Sequence, residues 1–175
     1  VKINKVALLY IVIEGLNVLW GLNNFKNAYE INTVLNYNGL DLFFGSGTGG
    51  IFSTNVFLIL LGYLFLSYNK LYKKEMVLAS VATFLLLGSI PKMIGGQYTE
   101  ILPYIFGYNV LFVLVFVAPN LYSSSYTLKG QIVSGILIGI LCFAISFVTS
   151  YTAAVFAVLI ASVLKGILDR MFVIK

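Results

Sequence analysis

Histidine is absent from this sequence. Its absence excludes histidine-ligated haem, copper or zinc within the chain, and with them imidazole acid–base chemistry. There is one cysteine, Cys142, so no intrachain disulfide can form and cysteine usage does not identify a redox compartment. Charge is also scarce. Only 10% of residues are Asp, Glu, Lys or Arg, where a soluble domain carries about 25%. So few charges cannot solvate a globular surface, but they suit a surface that faces lipid. No N-x-S/T glycosylation sequon occurs, and the glycine run Gly45 to Gly50 lacks the Gly-Lys-Ser/Thr ending of a phosphate-binding loop.

What is present is apolar: 60% of the 175 residues are hydrophobic. A membrane helix needs roughly 20 such residues, and the apolar stretches fill about six spans of that length. The sequence therefore predicts an all-α, polytopic integral membrane helix bundle in a single domain, residues 1–175. The expected spans are 6–22, 51–68, 76–94, 101–118, 131–149 and 152–168, with an asparagine-rich extracytoplasmic loop over 23–50. Within that loop Leu40 to Phe44 are apolar enough to dip into the membrane interface. Lys2 and Lys5 before an apolar run resemble the start of a signal peptide, but Glu14 interrupts the run and no A-x-A-like site follows. The stretch is read as the first membrane helix. Pro91 is expected to kink the third helix, and 121–130 reads as a polar loop.

The charges orient this topology. With the N-terminus in the cytoplasm, Lys2, Lys5, Lys70, Lys73, Lys74, Lys129, Lys165, Arg170 and Lys175 fall inside, and only Lys26 and Lys92 fall outside. Nine against two is the asymmetry the positive-inside rule demands for six spans with both termini cytoplasmic. Trp20, Phe52, Tyr98, Tyr104 and Tyr151 lie near the outer interface, and Tyr68, Tyr72, Tyr122 and Tyr126 near the inner one. Lys165 is placed to snorkel to the inner headgroups. The expected location is a prokaryotic cytoplasmic membrane. The lysines are scattered between spans, so the positive balance is not a nucleic-acid signature. No internal repeat supports an inverted-repeat transporter.

Two features stand out within the spans. Gly135 and Gly139 form a GxxxG, and Ala153, Ala157 and Ala161 repeat at the same spacing. Residues four apart share a helix face, and small residues let membrane helices approach closely. The last two spans are expected to form a tight antiparallel hairpin. The second feature is Glu14, mid-span in the first helix, where a charge is costly and must face protein or water. Tyr10, Glu14 and Asn17 lie on one stripe of that helix. Asn55, Tyr108 and Asn109 fall at comparable depth on other spans. Two readings stay open for this set: local hydrogen-bonded glue between helices, or a proton, ion or quinone-headgroup site.

Paired intramembrane carboxylates and other catalytic sets are missing from the spans. The function expected is a non-catalytic, multi-pass subunit of a larger membrane complex, preferably a respiratory or electron-transfer assembly. Its partners would be the bilayer and other membrane subunits. Its ligand would be a quinone or a structural lipid, and no cofactor would be held through histidine. The competing expectation is a small transporter or channel that uses Glu14.

Overall fold

The computed structural model describes residues 3–19, 39–44, 55–93, 105, 109–120, 123–147 and 152–172. Every regular element among them is helical. In chain order these are α1 (Lys5–Leu19), the short α2 (Gly39–Phe44), α3 (Val56–Ser67), α4 (Lys74–Met93), α5 (Val110–Phe112) continuing as a π-helical turn (Val113–Val117), α6 (Leu128–Ser146) and α7 (Ala153–Phe172).

Three helices start where a short polar side chain can satisfy their leading amides. Asn4 accepts from the Val6 and Ala7 N–H groups at 3.0 and 3.2 Å. Asn55 accepts from Leu58 N–H at 2.9 Å, and Thr127 from Gly130 N–H at 3.2 Å. Each is an N-cap, offsetting donors that have no partner inside the helix. Thr127 also explains why α6 begins at Leu128 rather than at 131, the expected start: a cap is read from one hydroxyl, not from hydropathy. Likewise α7 runs on to Phe172, because hydropathy stops at the first charges while the helix does not. Pro91 does not end α4, which continues to Met93.

Of these helices, α6 alone among the described residues is both long and apolar enough to cross a membrane. The 15 residues of α1 rise about 22 Å, less than a bilayer core of about 30 Å. The 12 residues of α3 rise about 18 Å.

The most extensive contact joins α4 to α6, and α7 covers α6 from another side. A Cβ on Gly135 would lie 2.5 Å from the Met76 carbonyl oxygen, and one on Gly139 would lie 2.7 Å from Thr83 Cβ. Both numbers rise together along the two chains, so α4 and α6 run parallel with their backbones in close approach. The GxxxG face therefore meets α4. It was expected to close the hairpin with α7, but spacing defines a face and not the helix that fills it. Ala153, Ala157 and Ala161 on α7 are fully buried. Phe84 and Phe143 continue the α4–α6 contact as a T-shaped ring pair with centroids 6.5 Å apart.

The helix α1 runs antiparallel to α5. Its Asn4 reaches the Val117 carbonyl at 3.2 Å, and its Tyr10 reaches Asn109 at 2.7 Å. The last carbonyls of a helix have no partner inside it. Here Val117 is satisfied by Asn4, and Val115 by the Tyr72 hydroxyl at 2.8 Å. The π turn itself closes with Ala118 N–H on the Val113 carbonyl at 2.9 Å.

These bonds draw four chain segments to one end of the bundle: the start of α1, the α3–α4 loop, the α5–α6 loop and the end of α7. Ser125 donates to the Asp169 carboxylate at 2.6 Å, and the Asn4 N–H donates to Ser162 Oγ at 3.3 Å. Lys165 sits 4.6 Å above the Tyr126 ring, a cation–π contact. The serines of the expected polar loop are not solvated. Ser123, Ser124 and Ser125 are all buried, because the converging segments close over them. Within the expected outer loop, α2 leaves Leu40 and Phe44 exposed and lays Phe43 and Phe44 against Phe57.

Candidate functional site

The polar residues singled out from the sequence fall into three groups. Tyr10 and Asn109 come together. The Asn109 amide donates to the Tyr10 hydroxyl oxygen at 2.7 Å, and Asn109 is buried. Six residues separate Tyr10 from Asn4, so this pair lies about 9 Å into the bundle from the end that collects the loops. The bond forms because antiparallel α1 and α5 meet at two levels, Asn4 with Val117 and Tyr10 with Asn109. A buried amide without a partner would cost about 1–3 kcal/mol, so this contact secures α1 against α5 as well as presenting polar groups inside.

Asn55 does something else. Its Oδ1 caps α3, and its amide donates to the Phe44 carbonyl at 3.0 Å. Both ends of the side chain hold α2 and the start of α3, so it does not join Tyr10 and Asn109. The third group lies outside the described residues: Tyr108, and the side chains of Glu14 and Asn17, whose backbones continue α1. One turn separates Glu14 from Tyr10 on the same face.

A second polar cluster was not anticipated. Asn4 is fully buried and its amide divides between the Val117 carbonyl and Ser123 Oγ. Around it lie Ser123, Ser124, Ser125 and Ser162, all buried. The signal for Asn4 was present: an asparagine directly before an apolar run is a helix-start signature. No described group of three or more Cys, Asp or Glu could hold a metal ion. Cys142 is buried in α6.

The chemistry these described residues offer is hydrogen bonding, in helices that turn many large apolar side chains outward. Compared with protein families, residues 7–175 match the family described as NQR2, RnfD, RnfE. The match covers nearly the whole sequence, and the chain belongs to this family. Its members are integral membrane subunits of electron-transport complexes. No curated protein matches the chain.

Proposed function

We propose that this protein is a non-catalytic, multi-pass subunit of a bacterial electron-transport complex, held in the cytoplasmic membrane by six spans with both termini inside. Membership of the NQR2, RnfD, RnfE family over residues 7–175 is the observation that carries the reading. The nine-to-two distribution of basic residues supports the orientation. So does the gathering of the α1 start, the inner loops and the α7 end at one pole.

In this reading the Tyr10–Asn109 pair, with Glu14 one turn further along α1, lines a polar site in the bundle. A phenol and a carboxamide are groups that can donate to a quinone carbonyl or a lipid ester without any histidine. The partners are other membrane subunits of the same complex.

Gentle extraction from the native membrane tests both levels. The expected result is a stoichiometric complex containing redox proteins, with quinone or lipid retained by the native chain and depleted in Tyr10→Phe. A lone chain that drives solute flux in proteoliposomes, lost in Glu14→Gln, would replace this reading with a transporter. A stable complex whose ligand content is indifferent to Tyr10→Phe would keep the subunit and remove the site.

A further inference from the structure

The pole that gathers the loops presents charge and apolar surface together. Lys70 and Lys74 bracket the entry to α4, and Lys129 lies in the first turn of α6; all three are exposed. The parallel register of α4 and α6 sets them at one level. Gly135 faces Met76 and Ala79, and Gly139 faces Ser80 and Thr83. Following that register back brings Lys129 to within about one turn of Lys74, the first residue of α4. Apolar side chains next to these lysines in the chain are exposed: Tyr68 is 89% exposed, Leu71 77% and Leu128 61%. Two acids lie nearby, Glu75 in the first turn of α4 and Asp169, which accepts from Ser125, and the three lysines outnumber them.

We propose that this rim binds anionic phospholipid. The lysine ammonium groups take the headgroup phosphates, while Tyr68, Leu71 and Leu128 enter the adjoining acyl boundary. Charge complementarity selects an anionic occupant. The outward apolar side chains select a lipid over a hydrated acidic segment, because the latter would leave them in water. The inference rests on the chain being embedded in a membrane and is independent of its role in a complex.

The test is native mass spectrometry of the full chain in detergent with equal amounts of phosphatidylglycerol and phosphatidylcholine. The expected result is retention of phosphatidylglycerol about tenfold or more over phosphatidylcholine, in line with a gain of about fivefold per surface lysine. The preference should fall toward unity in the triple variant K70Q/K74Q/K129Q and return with arginine at the same positions. Single glutamine variants, each expected to lose about fivefold, give the readout should the triple variant unfold. Equal retention of the two lipids by the native chain overturns the proposal, as does a preference that every glutamine variant keeps. Displacement of the lipid by inorganic phosphate would reassign the rim to a free anion. Capture of polyglutamate without lipid preference would reassign it to an acidic protein. Either result also overturns the proposal.

Discussion

The side-chain amide of Asn4 donates to Ser123 Oγ at 2.7 Å, a contact between residues 119 apart in the sequence. The same amide reaches the Val117 carbonyl, and the same side chain caps α1. One buried residue thus starts the first helix and terminates α5. Asn4→Ala removes all three interactions and should destabilise the protein by about 2–3 kcal/mol, combining a lost cap with lost buried bonds. Ser123→Ala removes one. Thermal unfolding of both single variants and the double variant in micelles should give a coupling of about 1 kcal/mol. Strictly additive effects would mean that the two residues do not act through each other.

Glycines on the helices should divide sharply by what surrounds them. At Gly135 even a methyl group would lie 2.5 Å from the Met76 carbonyl oxygen, and at Gly139 2.8 Å from the Ser80 carbonyl oxygen. Backbone cannot yield as a flexible side chain can, so α4 and α6 must separate. Alanine at either position should cost about 1–3 kcal/mol. At Gly166 nothing lies within 4 Å, and alanine should stabilise by up to about 1 kcal/mol through helix propensity alone. Midpoints of thermal unfolding for the three variants check this. Equal shifts of one sign at all three would contradict the close approach of α4 and α6.

The serines behind Asn4 should not be equivalent either. Ser125 Oγ holds the Asp169 carboxylate, and its own side chain packs over Gly130. Ser124 Oγ is buried with no partner among the described residues. Removing an unsatisfied buried hydroxyl relieves a desolvation cost of about 1–3 kcal/mol. Ser124→Ala should therefore be neutral or stabilising, whereas Ser125→Ala should lose about 1–2 kcal/mol with its charge-assisted bond. Chemical unfolding of the pair decides. Marked loss in Ser124→Ala would reveal a bound water or ion that the hydroxyl serves.

These contrasts mark where sequence reading runs out. GxxxG spacing identified a close-packing face on α6, since periodicity is a property of one helix. Its partner was misassigned to α7 because rotation and neighbour choice belong to the bundle. Tyr10 and Asn109 were both legible as unusual polar residues inside apolar runs. Their pairing required α1 and α5 to lie antiparallel in a particular register. Ser123 to Ser125 read correctly as part of a polar loop, but composition reports polarity and not the four segments that close over it. Asn4 was legible as a helix start but not as a bridge. The family match adds what no residue pattern here contained, namely the kind of complex to which such a bundle belongs.

The α3–α4 loop offers a titration test of the same pole. The Tyr72 hydroxyl donates to the Val115 carbonyl at 2.8 Å. Burial pushes the phenol pKa well above its ordinary value of 10.0, and the neighbouring Tyr63 adds to the rise. Ionisation would remove the proton that the carbonyl accepts and place an anion in a desolvated site. A group whose folded pKa is raised stabilises fully below its unfolded value and progressively less above it. The Tyr72 contribution should therefore be constant below about pH 10, the ordinary tyrosine pKa. It should decline as the pH climbs past 10 toward the raised folded value. Tyr72→Phe keeps the ring against Tyr63 but deletes the hydroxyl. It should cost about 1 kcal/mol at neutral pH, the usual worth of one such bond. The difference from the native chain should shrink from pH 10 upward and change sign before the native phenol ionises, because each pH unit between the unfolded and the raised folded pKa removes about 1.4 kcal/mol from the native chain alone. Unfolding midpoints of both proteins between pH 7 and 12 measure that difference. A difference that stays flat through this range would place the Tyr72 hydroxyl in water rather than on the end of α5.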